Sequence, residues 1–468
     1  MDVAEIGAEL RDYAEDARRA TGTPGGVIAV SDGSETAEVA CGWADLARQE
    51  GMTAGFTFPG GSLSKIYIAL AVALLVERGE LDVDAPLSEY IKVANPLGGE
   101  PLTVTHLLTH RSGLALDTYD AVMGVSQDEV MTLVRELHGP EYGQVRQRWV
   151  ARTGAAFAYS SLGMALVAAV IEHLTGMPFA RFVAGEIAVR AVLGTTSWPG
   201  GPGWGRGESM TGYMGFGDQA VPTPVIGSRC ASSTGVVTTA GDQNRLMANL
   251  LGGEGGLLRA ETLRWLTTPR VEYTFLGRPI GMHIGAGVQL RNVGTREFAV
   301  GHNGAYPFGW WSASWTYPDL GLAVTAAGNR WDMRQYMEIE PTWAWQVAQE
   351  AARLRAGGAP RHPGGRSRSY VAGMVTGGRL HGLLGVGQRI GEDELTEMVA
   401  GTRRVERGEP WTGEAFTDGL RMMESARTAA EIRARVAAEG GLAETVDLTA
   451  LAWGERRGGT MMVSREYD

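Results

Sequence analysis

Residues 66–76 read Ile-Tyr-Ile-Ala-Leu-Ala-Val-Ala-Leu-Leu-Val, with no charge and no polar stripe. A helix built from this run has no face to offer to water, so it must sit inside a core with the rest of the chain packed around it. Glu77-Arg78-Gly79 supplies a polar end and a glycine suited to a helix C-terminus. At the other end stands Ser62-Leu63-Ser64-Lys65. Ser62 falls at the helix start and Lys65 one turn in. Residues three apart share a face, with Cβ atoms roughly 5–6 Å apart, so the ammonium can reach the hydroxyl. Free N–H groups and the positive dipole end at a helix start favour a developing oxyanion. Lys65 is the one charge in the apolar segment, and desolvation favours its neutral, basic form. A serine at a helix start is more often only a cap, so a catalytic reading needs support from elsewhere in the chain.

The 468 residues suffice for one large domain with a smaller one, or for two to three ordinary domains. A net charge of −11 argues against nucleic acid or an anionic membrane as the main partner. Cys41 and Cys230, the two cysteines, provide neither a disulfide framework nor a cysteine metal site. The acidic start Met1-Asp-Val-Ala-Glu lacks a basic segment followed by an apolar one, and residues 66–76 are too short to cross a bilayer. The expected location is cytoplasmic.

Apolar residues at helical spacing predict an amphipathic helix over 3–20. Residues 26–30 and 37–41, joined through Asp32-Gly33, predict a β-hairpin. Helices are expected at 103–110, 126–137, 162–175 (capped by Ser161) and 178–189. The stretch 197–228, rich in Gly, Trp, Pro and Met, reads as long surface loops shaping a substrate mouth. Thr239-x-x-Asp242 resembles a capping box before a helix ending near 252. From 283 the apolar period switches to two, predicting strands at 283–291, 296–301, 309–317 and 321–327, then a helix over 333–355. The fold expected is α/β (α+β): an antiparallel sheet formed by N- and C-terminal segments, flanked by helices, with an all-α inserted subdomain over roughly 80–225. Residues 1–356 form the catalytic domain, the Pro/Gly/Arg-rich 357–368 a linker, and 369–468 a helical C-terminal extension.

Ser62-x-x-Lys65, Tyr159-Ser160-Ser161 and His302-Asn303-Gly304 resemble, in order, the three motifs of the serine β-lactamase and penicillin-binding-protein superfamily. The resemblance is greatest to its class C-like branch of lactamases, D,D-peptidases, carboxylesterases and acyltransferases. Phe58 to Asp84, Leu107-Leu-Thr-His-Arg-Ser-Gly-Leu114, Tyr159 to Phe179, Ser233 to Asp242 and Gly321 to Asn329 extend the likeness over about 5–350. Two places depart from the pattern. Ser161 stands where the family usually has the Asn that binds a lactam or peptide amide. His-Asn-Gly replaces the Lys-Thr-Gly of the class A and penicillin-binding set.

The resemblance implies an acyl-enzyme on Ser62. Lys65 and Tyr159 share the base role, the Tyr159 phenolate being stabilised by nearby cations. His302 holds the proton network, and the Ser62 and Ala305 amides form the oxyanion hole. The alternative for His302 is a hydrogen-bonded strand histidine. Ser161, Asn303 and Gly304 are expected to bind substrate. Tyr213, Phe216 and Trp310, with Trp204, Met214 and Trp311, are candidates for an apolar acyl pocket, core packing being the favoured role for Trp310 and Trp311. His106 and His110 have a metal-ligand spacing, but no third ligand is evident, so no metal and no cofactor are expected. The leading reading is a serine hydrolase of an ester or amide, acting in secondary metabolism and antibiotic biosynthesis. A transacylase using an amine or alcohol acceptor is the second reading, and a non-catalytic sensor or scaffold the third. The expected partner is a small-molecule acyl substrate, with neither nucleic acid nor membrane, and self-association through the C-terminal extension.

Overall fold

Val27 and Ala29 point to one side of the first strand, Ile28 and Val30 to the other, and all four are fully buried. An apolar strand without alternation is what a sheet covered on both faces requires. The computed structural model describes residues 1–114, 149–216, 219–223, 230–252, 256–275, 278–306, 309–332 and 342–359.

Helix α1 (Val3–Thr21) opens on a capping box between Asp2 and Glu5. It leads into the hairpin of β1 (Gly25–Ser31) and β2 (Thr36–Asp45), with β3 (Glu50–Gly51) at the edge. Next come β4 (Phe58–Gly61), α2 (Ser64–Glu77), α3 (Val104–Leu108), α4 (Ser161–Thr175) and α5 (Phe179–Val183). The chain then forms β5 (Gly212–Phe216), β6 (Gln219–Thr223), α6 (Ala231–Thr234), β7 (Val236–Thr238), α7 (Ala240–Ala248) and α8 (Ala260–Thr267). Six more strands follow: β8 (Val271–Phe275), β9 (Arg278–Ile284), β10 (Gln289–Arg291), β11 (Ala299–Tyr306), β12 (Trp310–Tyr317) and β13 (Leu322–Gly328). The short β14 (Arg330–Asp332) and α9 (Trp343–Arg355) close the described chain.

Nine strands make one antiparallel sheet in the order β3-β2-β1-β13-β12-β11-β10-β9-β8. The N-terminal hairpin pairs with the C-terminal strands through β1 and β13, from Gly26 opposite Gly328 to Ser31 opposite Ala323. The expected joining of the two chain ends in one sheet is thus observed. On one face lie α1 and α9, sealing a core of Ile28, Val30, Trp315, Val324 and Trp343. On the other face lies the larger core around α2, which is buried from Ser64 through Leu75 and packs against α4, α6 and α8. Among the described residues no single helix is long and apolar enough to cross a membrane.

Several expectations are corrected. Residues 212–216 and 219–223 are strands, forming with β14 a three-stranded sheet. The parallel β14–β5 pairing joins segments over a hundred residues apart, and no local pattern in 197–228 announces it. The strand expected at 283–291 is two strands broken by a turn, in which the Gly285 amide donates to the Val288 carbonyl. The strand expected at 296–301 runs 299–306. Ser160, not Ser161, caps α4, its Oγ accepting from the Gly163 amide at 3.1 Å. The helix expected over 178–189 is α5 followed by a π-helical turn at Ala184–Ala188. Thr239 caps α7 as expected, but the Asp242 carboxylate turns to the Thr195 and Thr196 amides instead of closing the box. The helix expected at 126–137 and the whole extension 369–468 lie outside the described residues.

Candidate active site

Strand β4 delivers the chain to α2 through Gly61, whose φ of +55° suits glycine. A Cβ there would also lie 2.3 Å from the Ala305 carbonyl oxygen. The close approach sets the residue before Ser62 against β11. Gly304 makes a second such contact, since a Cβ would lie 2.2 Å from both the Gly60 carbonyl and Ser312 Oγ. Ser62 is half-buried in the turn just before α2, with Leu63 in the cap position. The second serine of the motif has a different task. Ser64 Oγ donates to the Gly61 carbonyl (2.7 Å) and accepts from the Val236 amide (3.0 Å), pinning the start of α2 to β7.

Lys65 is fully buried. Its Nζ donates to Ser62 Oγ at 3.0 Å, Ser161 Oγ at 3.0 Å and the Ser233 carbonyl at 3.2 Å. Three acceptors match the three protons of an ammonium, and a buried charge needs such compensation. They come from three elements: the turn before α2, the first residue of α4, and α6. Because Ser160 caps α4, Ser161 Oγ is left to face Lys65. The Ser233 hydroxyl donates to the Ser161 carbonyl at 2.8 Å, fixing α6 against α4. In the sequence Ser233 stands out only as part of a matching stretch, and its backbone role carries no residue-type signal.

Tyr159 places its hydroxyl 3.0 Å from Ser62 Oγ and 3.4 Å from His302 Nε2. The Lys65 ammonium lies 5.0 Å from the centre of its ring. His302 is buried on β11, with Nδ1 2.5 Å from the Asn303 carbonyl oxygen. A carbonyl can only accept, so Nδ1 carries the proton and Nε2 presents a lone pair to Tyr159. Burial pushes the His302 imidazole down to about 3, the Lys65 charge adds to this, and the Asn303 carbonyl opposes it. His302 is therefore neutral near pH 7.

Ser62, Lys65, Tyr159, Ser161 and His302 are thus brought together, with Gly304 and Ala305 on the adjoining strand. Other expected substrate contacts are not. Strand alternation turns Asn303 to the opposite face of the sheet from His302. There its Oδ1 accepts from Trp315 Nε1 at 3.0 Å, in the core under α1 and α9. Trp310 is core: its ring packs over Gly212, and its Nε1 donates to the Met210 carbonyl. Tyr213 is buried as well, its hydroxyl accepting from the Leu46 amide at 2.7 Å. Phe216 ends β5. Trp204 is 45 % exposed. Aromatic rings that sequence reasoning passed over stand closer to the cluster. Phe157 and Tyr273 have ring centres 4.8 Å apart, and Tyr273 lies 6.0 Å from Tyr159. His106 and His110 diverge: His106 bonds Thr103 and Glu100, whereas His110 lies against Tyr159.

A helix-flanked antiparallel sheet carrying Ser-x-x-Lys, Tyr and His around one hydroxyl defines the class of serine acyl-enzyme folds. The beta-lactamase family profile matches residues 10–349, and the chain belongs to that family. It is 31% identical over 198 residues to esterase EstB of Burkholderia gladioli, 40% of this chain and 50% of that protein. It is 29% identical over 180 residues to penicillin-binding protein 4* of Bacillus subtilis, 37% of each chain. The chain thus spans half or less of the length of these curated relatives. D-amino acid amidase from Ochrobactrum anthropi SV3, solved with L-phenylalanine amide, superposes with a TM-score of 0.61 at 20% identity, covering 75% of this chain and 99% of that one. This last likeness is one of fold.

Proposed function

We propose that the chain is a serine hydrolase that cleaves an ester, and more slowly an amide, through an acyl-enzyme on Ser62. The observation that carries the reading is the convergence of Lys65 Nζ and Tyr159 Oη, each 3.0 Å from Ser62 Oγ. Lys65 donates to three acceptors, so in place of the shared base role expected from the sequence it serves as a fixed positive charge beside Ser62 and Tyr159. Tyr159, as the phenolate favoured by that charge, takes the Ser62 proton while Oγ adds to the substrate carbonyl. The tetrahedral oxyanion is received by the Ser62 and Ala305 amides. Tyr159 then hands its proton to the departing alkoxide or amine. In the second half it takes a proton from water, which attacks the acyl group, and returns that proton to Ser62. His302 stays neutral throughout and accepts from the Tyr159 hydroxyl whenever Tyr159 is protonated.

The esterase relative supports the ester preference, and membership of the beta-lactamase family supports the covalent route. A transacylase reading shares every step up to the acyl-enzyme. The Phe157 and Tyr273 rings favour it to one extent: an apolar wall beside Tyr159 lets an organic acceptor displace water. Incubation with a fluorophosphonate should label Ser62 and no other serine. Ser62→Ala should abolish labelling without loss of fold, and Tyr159→Phe should lower p-nitrophenyl ester turnover by roughly 10²–10⁴-fold. Labelling elsewhere, or a fully active Tyr159→Phe, overturns the reading. Added amines or alcohols in the same assay decide between acid release and transfer.

A further inference from the structure

His110 sits at the centre of the Leu107-Leu-Thr-His-Arg-Ser-Gly-Leu114 stretch, and nothing in the proposed mechanism uses it. It is buried, and its φ is +56°, in the left-handed region. For a residue other than glycine this conformation costs about 1–2 kcal/mol, and it persists where surrounding contacts impose it. Those contacts converge on one neighbour. The Ala158 amide donates to the His110 carbonyl at 2.8 Å, and the Ser160 amide donates to His110 Nδ1 at 3.1 Å. Between these two amides lies Tyr159, whose ring stands over the His110 imidazole with centres 4.5 Å apart and a 36° tilt. The residues before and after Tyr159 are therefore both tied to His110, and the phenol ring is backed by it. Ser160 also caps α4, so the same clamp fixes Tyr159 relative to that helix.

We propose that His110 is a positioning residue that holds Tyr159 at proton-transfer distance from Ser62 through the acceptor at Nδ1 and the ring stacked beneath the phenol. The inference rests on the reading of Tyr159 as the base. The tautomer follows from the partners: Nδ1 accepts an N–H, so the proton resides on Nε2 and the ring is neutral. Burial, with the Lys65 charge adding to it, holds the imidazole well below its ordinary range, so the acceptor persists at neutral pH. A glycine would relieve the backbone but provide neither contact. Asparagine tolerates the left-handed region and carries an oxygen near the Nδ1 position. Phenylalanine keeps a ring and loses the acceptor.

Steady-state kinetics on a p-nitrophenyl ester, with melting temperatures, test the clamp for His110→Phe, His110→Ala and His110→Asn, each in the native and Tyr159→Phe backgrounds. His110→Phe and His110→Ala should lower kcat about 10- to 100-fold with KM changed less than about threefold, the penalty of a misplaced catalytic group. His110→Asn should stay within about tenfold of the native rate. In the Tyr159→Phe background the further loss should be under about twofold, because the effect passes through Tyr159. A folded His110→Phe with native kcat, or equal losses in both backgrounds, overturns the clamp while the base assignment stands. A fully active Tyr159→Phe overturns the base assignment itself. Should the Phe and Ala variants not fold, His110→Asn decides: a native melting temperature with kcat at the Tyr159→Phe level refutes the acceptor role.

Discussion

The sharpest consequence of the site for the whole molecule lies in acid. His302 takes its proton at about 3 in the folded protein, against about 6.5 for an exposed imidazole. Between these values the unfolded chain binds a proton that the folded chain refuses, so stability is full above about pH 6.5 and falls as pH drops toward 3. Each pH unit of that interval is worth about 1.4 kcal/mol from this group, or about 2 kcal/mol by pH 5. That is a sizeable part of the ~5–15 kcal/mol that holds a typical domain together. The perturbation is His302→Gln, which removes the titration while keeping a polar side chain on β11. Urea unfolding at several pH values from 7 to 4.5 gives the free energy of each protein. His110 titrates in the same direction and is present in both, so the difference between the two slopes isolates His302. The native protein should lose roughly 1.4 kcal/mol more per pH unit than the variant below pH 6. Parallel lines would show that His302 is not held neutral by burial and the Lys65 charge.

Two further substitutions read the packing around Ser62. Gly304→Ala would drive a methyl group to within 2.2 Å of the Gly60 carbonyl, and that main-chain atom cannot yield without moving the approach to Ser62. A loss of about 1–3 kcal/mol in unfolding free energy is expected, with a fall in kcat, and unchanged stability would refute the close packing of β11 on β4. Ser161→Ala removes one of the three Lys65 acceptors, which should cost about 1–3 kcal/mol. Because Ser161 is turned to Lys65 and lacks the amide of Asn, cephalosporins should be turned over much more slowly than esters. Nitrocefin hydrolysis at a rate comparable with ester turnover would contradict this.

What could be read from the sequence divides along a physical line. The central helix was legible because an all-apolar run has one solution in water, burial. The hairpin of β1 and β2 and the strands from 309 onward were legible because short apolar and β-branched runs bounded by turns are local signals. Strands β5 and β6 were not, because their pairing with β14 is long-range and glycines at 212 and 215 interrupt the apolar pattern. Gly212 is required by the Trp310 ring, and Gly215 lies against the Arg330 guanidinium. Such contacts are properties of the assembled fold.

The site divides in the same way. Lys65 could be placed near Ser62 because one helical turn sets their separation, and the third motif could be placed by its resemblance. Which side chain of His302-Asn303-Gly304 faces Ser62 depends on the register of β11, and alternation there sends Asn303 to the far face. Tyr213 reads as a pocket residue in the sequence, and Trp310 as a pocket candidate with core packing favoured, because large aromatics serve cores and mouths equally well. Satisfied polar atoms in the fold separate the two uses: the Trp310 indole donates to Met210 and the Tyr213 hydroxyl accepts from Leu46. Ser233 contributes a carbonyl, which every residue has. In the sequence His110 stands out only as part of a matching stretch and as half of a metal-like spacing. Its relation to Tyr159 is made by two main-chain amides, 158 and 160, that flank the tyrosine. A histidine that acts on backbone leaves no complementary residue type to find in the sequence. Its signature is geometric, a buried side chain held at positive φ beside the group whose placement the chemistry needs.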